Sequence, residues 1–261
     1  IAMLLGLLEP GDHVVTTQIE HPSVLAPLVW LEQRGIEVSR VAPGPDGCVE
    51  LAAIEAALRP STKLVSLMWA NNETGALQPV EQTAALCSAR GVRLHVDATQ
   101  AVGKCRVDLS RTPIDFLAAS AHKLGGPKGV GVLVSQQPER APILLWGGGQ
   151  EYGRRGGTEN VIGILGFGEA CARLIPILDE QAERQAKLRD RLWQGLRSGG
   201  AACHSGGIEP SAVLLAMGRS PEQARCSLRF SVGEGVEDGQ IDRVVALLRE
   251  LVPRVREAGS P

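Results

Sequence analysis

The densest concentration of reactive side chains is Ser120-Ala121-His122-Lys123-Leu124-Gly125-Gly126-Pro127-Lys128-Gly129, where an apolar run passes into a Gly-rich loop. A lysine placed there is either a solvated loop residue or a nucleophile, since burial or a nearby cation lowers its pKa until the amine can form a Schiff base. Asp97, in His95-Val96-Asp97-Ala98-Thr99-Gln100, ends another apolar run. An unpaired carboxylate is costly there, so Asp97 is expected to meet a cation or proton donor, or else to cap the next helix. Asn71-Asn72-Glu73-Thr74-Gly75 and Glu20-His21-Pro22-Ser23 follow two further apolar runs. The paired amides serve either as ligand contacts or as a tight turn. The last cluster is Gly199-Gly200-Ala201-Ala202-Cys203-His204-Ser205-Gly206-Gly207, a thiol among small residues. Reactive thiols need exposure rather than core packing, and this segment offers it. Cys48, Cys87, Cys105, Cys171 and Cys226 sit in or beside apolar patterns and read as inert. His21, His95, His122 and His204 lack metal-ligand spacing, so no metal is expected.

These clusters need a frame that brings them together. Strands are expected at His13–Thr17, Glu37–Ala42, Lys63–Ala70, Arg93–Ala98, Asp115–Ala121 and Gly129–Ser135. Helices are expected at Ser23–Arg34, Leu51–Leu58 and Val80–Arg90, with Pro22 suited to a helix start. Apolar strands alternating with helices imply an α/β fold whose mostly parallel sheet is covered on both faces. In such sheets ligands sit at the carboxyl ends of the strands, where four of the clusters fall. Beyond Gly149 helices are expected at Asn160–Leu174, Leu178–Leu196, Ser211–Met217 and Gln240–Leu251, with a strand at Ser227–Val232. The boundary between a large and a small domain is placed near residue 175, giving 1–175 and 176–261.

The 261 residues suit one large domain or two smaller ones. A formal net charge of −2 excludes a generally cationic nucleic-acid binder. Aromatic residues are only 3% against 31 glycines, so the core must rely on Ala, Val, Leu and Ile. Six scattered cysteines with no CxxC pair form no disulfide framework and point to a reduced, cytoplasmic setting. No apolar run is expected to reach the roughly 18 residues of a membrane span. The start, Ile1-Ala2-Met3-Leu4-Leu5, lacks the basic region of a signal peptide and reads as a helix already under way.

Taken in order along the chain, the clusters resemble the cysteine desulfurases, within the class V aminotransferase-like, fold-type I enzymes that use pyridoxal 5′-phosphate. The match includes Glu20-His21, Asn71–Gly75, His95–Lys104, Ser120–Lys123 and Gly125–Gly129. It continues through Gly147-Gly148-Gly149-Gln150-Glu151, Arg155-Gly156-Gly157-Thr158-Glu159-Asn160, Ala202–Gly206 with Glu209-Pro210-Ser211, and Leu228–Gly233. The resemblance implies that Lys123 carries the cofactor and moves the Cα proton. Asp97 pairs with the pyridinium nitrogen and His21 stacks on the ring. Asn72 and Gln100 bond its 3′-oxygen, while Ser120 and His122 bind the phosphate. Thr158 reaches the phosphate of a neighbouring subunit, which implies a homodimer. Arg229 clamps the substrate carboxylate, with Asn72 also facing substrate. Cys203 takes the sulfur of L-cysteine as a persulfide and passes it to an acceptor protein, iron–sulfur cluster assembly being one expected use.

The sequence departs from that family in three places. The N-terminal portion carrying a phosphate-binding turn is not in the chain, so the match is to a truncated form. Leu196 passes through Arg197-Ser198-Gly199-Gly200 almost directly to the Cys203 loop, which implies a reduced α+β small domain. Glu234 stands where a basic residue is usual. A selenocysteine lyase acting on L-selenocysteine would use nearly the same residues, and a non-catalytic member acting through binding is the reading from another class.

Overall fold

The computed structural model describes residues 2–138, 141–197 and 209–258. Two compact units divide the chain, Ile1–Pro176 and Ile177–Pro261.

The first unit is built on a six-stranded sheet. Its strands are β1 (His13–Thr17), β2 (Glu37–Val41), β3 (Thr62–Met68), β4 (Arg93–Asp97), β5 (Phe116–Ser120) and β6 (Gly131–Ser135). Their order is β2-β1-β3-β4-β5-β6, parallel throughout except for β6, which runs antiparallel to β5. The helices are α1 (Ala2–Leu7), α2 (Pro22–Glu32), α3 (Leu51–Ala57), α4 (Val80–Arg90) and α5 (Val161–Leu174).

Successive strand residues point to opposite faces, and the two cores follow that alternation. Val14, Leu64 and Phe116 pack with Leu4 of α1 and with Val24, Leu28 and Leu31 of α2. Val15, Val65 and Leu117 pack on the other face with Ile54 of α3, with Val80, Ala84 and Cys87 of α4, and with Phe167 of α5. Both faces are covered, so the strands had to be near-continuous apolar runs; in β3 only Lys63 is exposed. The expected strands and helices of this unit all form, with ends shifted by a few residues. The opening residues form α1, as their helical reading implied.

The second unit contains α6 (Leu178–Arg197), α7 (Ala212–Ala216), α8 (Pro221–Arg225) and α9 (Asp238–Ala258). Leu188 and Leu192 of α6 bury against Ile241 of α9. Beside them Arg191 bonds Asp242 at 2.8 and 2.6 Å and Asp238 at 3.0 Å. Ser211 and Ser220 cap the two short helices, Ser220 with a complete capping box.

Two expectations are corrected here. The strand at Ser227–Val232 does not form, so the described part of this unit is helical rather than α+β. A strand needs a neighbour for its backbone groups, and no second strand exists among the described residues of this unit. Instead Val232 packs beside Leu188 and Ile241. Secondly, the helical run Val161–Arg197 does contain an 18-residue window, of mean hydropathy 1.8, long and apolar enough to cross a membrane by length and composition alone. Glu169 and Arg173 interrupt that window, so its sequence is not one unbroken apolar run.

Candidate active site

Because β1, β3, β4 and β5 are parallel neighbours, their carboxyl ends open on one edge of the sheet. His21 follows β1, Asn72 follows β3, Asp97 ends β4 with Gln100 just beyond, and Ser120 ends β5 with His122 and Lys123 in a 3-10 turn after it. The structure therefore gathers on one edge the residues that the sequence left in four separate clusters.

His21 is the N-cap of α2; its Nδ1 accepts from Ser23 N–H at 3.1 Å and lies 2.8 Å from Ser23 Oγ. With Nδ1 accepting, the neutral ring carries its hydrogen on Nε2. Asp97 is half-buried, and its Oδ1 accepts from Thr99 N–H at 3.0 Å. No helix follows for Asp97 to cap; it holds the turn after β4 instead, and no cation pairs with it among the described residues. Two residues earlier in β4, His95 is buried against Ser66 Oγ at 2.9 Å. Burial pushes its pKa down to about 4, so it is a neutral part of the core.

Gln100 is half-buried, with its Oε1 accepting from Lys104 Nζ at 2.6 Å. That bond engages the amide oxygen and leaves the amide N–H2 to donate elsewhere. Lys104 has its pKa lowered first by burial and then by the charge of Lys123. Lys123 and His122 are exposed, whereas Ser120 is half-buried. The turn that carries Lys123 is held by Leu124 N–H on Ala121 O at 3.1 Å and Gly126 N–H on the same oxygen at 2.9 Å. A Cβ at Gly126 would stand 3.0 Å from both Ala121 Cβ and Ala121 O, so glycine is what lets the loop close this tightly. Gly103, at φ +79°, similarly allows the turn after β4 to approach Leu124.

Thr158 is exposed just before α5. Arg229 belongs to the second unit, exposed between α8 and α9. Cys203, with His204, lies outside the described residues. Three contributors had no assigned role in the sequence reading: Glu20, Asn71 and Lys104. Glu20 is buried, with Oε1 accepting from Thr17 Oγ1 at 2.9 Å and Met68 N–H at 2.8 Å. Its Oε2 is buried with no partner among the described residues, and burial pushes the pKa up to about 8. Asn71 Nδ2 donates to Ile19 O at 3.0 Å, while its Oδ1 accepts from Glu73 N–H at 2.9 Å and Thr74 N–H at 3.0 Å. Only polarity inside a strand-exit motif could have signalled them. The bonds of Glu20 to Met68 and of Asn71 to Ile19 join segments about fifty residues apart, which local pattern does not record.

A mostly parallel, doubly covered sheet with an amine, a carboxylate and amides at its carboxyl edge is an α/β enzyme fold with its ligand site at the strand exits. The chain belongs to the class V aminotransferase family, whose model, "Aminotransferase class-V", matches residues 1–208. It is 37% identical to the cysteine desulfurase IscS of Edwardsiella ictaluri, with 95% of this chain and 72% of that protein covered. The IscS of Methylobacillus flagellatus is likewise 37% identical over 95% of this chain and 71% of its own. Among solved structures, a NifS-like protein superposes with TM-score 0.90 at 30% identity, covering 97% of this chain and 78% of its own. DndA from Streptomyces lividans gives 0.75 at 36%, covering 83% and 73%. The alignment to the first relative runs over 289 residues, more than the 261 of this chain, so that relative carries internal segments lacking here.

Pyridoxal phosphate is the cofactor of this family, and the residues present fit it. Asn72, Ser120 and Lys123 make no side-chain hydrogen bond among the described residues, although Asn72 and Ser120 are half-buried. Asn71, by contrast, is fully spent on the fold. The edge thus offers an amine for a carbonyl carbon, a carboxylate for a ring nitrogen, and unspent amide and hydroxyl groups for oxygens.

Proposed function

We propose that this chain is a pyridoxal-phosphate-dependent cysteine desulfurase that converts L-cysteine to L-alanine and holds the released sulfur on Cys203. The observation that carries the reading is the placement of Asp97 and Lys123 at the carboxyl ends of adjacent parallel strands in a member of this family. When bound, the cofactor supplies an electron sink that weakens the bonds at the substrate Cα.

The chain's own residues do the rest. Lys123 would offer the amine that holds the cofactor's carbonyl carbon and would carry the Cα proton. Asp97 would keep a proton on the ring nitrogen, and His21 would cover one ring face. Asn72 and Gln100 donate to the 3′-oxygen, Gln100 with the amide hydrogens that Lys104 leaves free. Ser120 and His122 hold the phosphate, joined by Thr158 from the neighbouring subunit. By the family resemblance, the Arg229 guanidinium would take the substrate carboxylate as a two-point fork. The Cys203 thiol takes up the substrate sulfur: the C–S bond breaks, an S–S bond forms, and a proton replaces sulfur on carbon. The products are alanine and a Cys203 persulfide, so no outside oxidant is needed.

Exposed apolar residues support a homodimer formed through the α5 face. Gly163 and Phe167 face inward, while Ile162 is 85% and Leu165 68% exposed, and Trp146 and Tyr152 are exposed nearby in sequence. Thr158 immediately precedes that helix, as its cross-subunit role requires. An acceptor protein takes the sulfur onward, iron–sulfur cluster assembly being the expected use. The described cysteines Cys48, Cys87, Cys105, Cys171 and Cys226 are all free thiols, which supports a cytoplasmic setting.

The test is the visible absorption of the purified protein with added pyridoxal phosphate, followed by alanine release from L-cysteine. A band lost in Lys123→Ala, and alanine release lost in Cys203→Ser with the band retained, are the expected results. A colourless protein at saturating cofactor would leave the binding-only reading. Strong preference for L-selenocysteine would replace the desulfurase reading by the lyase one.

A further inference from the structure

β1 ends at Thr17, yet β3 continues to Met68, so the Met68 N–H reaches the end of the ladder without a β1 carbonyl opposite it. Glu20 Oε1 fills that position at 2.8 Å and is itself held by Thr17 Oγ1 at 2.9 Å. In the reverse direction Asn71, in the segment leaving β3, donates Nδ2 to Ile19 O at 3.0 Å in the segment leaving β1. Each exit thus sends one side chain onto the backbone of the other. The residues on either side of this exchange are His21 and Asn72, the two groups that the proposed function assigns to the cofactor ring and its 3′-oxygen. Both clamp residues are buried, Glu20 at 3% and Asn71 at 2% exposure, so their bonds are shielded from competing water.

We infer that Glu20 and Asn71 are positioning residues: a reciprocal clamp across the exits of β1 and β3 that sets His21 and Asn72 for the cofactor. The inference rests on the desulfurase reading for what is positioned, but the clamp itself is a property of the protein alone. Glutamine at position 20 keeps an oxygen for Thr17 and Met68, whereas alanine removes both bonds.

The experiment has two arms. In the first, amide hydrogen exchange is followed in cofactor-free protein over residues 18–24 and 67–75. Glu20→Ala is expected to speed exchange in both segments, Glu20→Gln to leave both near wild type, and Thr17→Val, which removes a single bond, to give a smaller change in the same segments. In the second, the pyridoxal phosphate dissociation constant and the visible circular dichroism of the bound cofactor are measured. Glu20→Ala is expected to weaken binding about tenfold and to diminish the dichroic band, as loss of a buried hydrogen-bond acceptor implies. In a His21→Ala background the same change should add less than about twofold, because the two act through one element. Unchanged exchange in Glu20→Ala, a Glu20→Gln that behaves like alanine, or full additivity with His21→Ala would overturn the inference. Absence of any cofactor band in wild type would instead refute the desulfurase reading, and the exchange arm would still decide the clamp.

Discussion

Glu20 should make the first unit more stable in acid than at neutral pH, and Glu20→Gln should remove that dependence. The carboxyl is buried in the first unit, with Oε2 left without a partner, and burial, aided by the nearby Asp97 charge, raises its pKa from 4.5 to about 8. The unfolded chain loses this proton near pH 4.5, while the folded chain keeps it until about pH 8. Between those values the folded state binds the extra proton, so stability is full below about pH 4.5 and declines as pH rises through the interval. Each pH unit crossed within that interval is worth about 1.4 kcal/mol, so the rise from pH 5 to pH 7.5 removes at most about 3 kcal/mol. Glutamine cannot ionise and keeps the oxygen that accepts from Thr17 and Met68. The assay is urea unfolding of cofactor-free wild type and variant at both pH values. Tryptophan fluorescence suits it, because Trp30, Trp69 and Trp146 lie in the first unit and only Trp193 in the second. Glu20→Gln should gain on wild type as pH rises, by up to that amount. Parallel curves for the two proteins would refute the neutral buried carboxyl.

Phe116→Ala, at a position 2% exposed between β5 and the α1–α2 layer, should cost about 3–5 kcal/mol in the same unfolding assay. Lys104→Met removes the 2.6 Å bond that orients Gln100, and should weaken pyridoxal phosphate binding about fivefold by visible titration; unchanged affinity would deny Lys104 that part. Ile162→Glu with Leu165→Glu, on the exposed side of α5, should convert a dimer to a monomer by light scattering without loss of helix content.

Much of the first unit was legible because its strands are buried on both faces. His13–Thr17 and Arg93–Asp97 announce themselves through Val14-Val15 and through Leu94 and Val96 between turn signals, and the helices between them by periodicity and by signals such as Pro22. The polar clusters were legible because each directly follows a short strand rich in buried residues. The second unit was less so. Leu228, Phe230 and Val232 alternate as a strand would, but alternation says which face a residue prefers and nothing about whether a neighbouring strand exists.

The sequence by itself determined the kinds of group present, the parallel α/β class, and the resemblance that put Lys123 and Asp97 in one family. Only the tertiary structure decided the order β2-β1-β3-β4-β5-β6, which brings four strand exits to one edge. It alone decided that Asn71 is spent on the fold while Asn72 is left for chemistry, and that Glu20 is a buried acid rather than a surface one. The physical reason is the same each time. Hydrogen-bond partners and desolvation are set by segments distant in the chain, Met68 for Glu20 and Ile19 for Asn71, and local pattern holds no record of them.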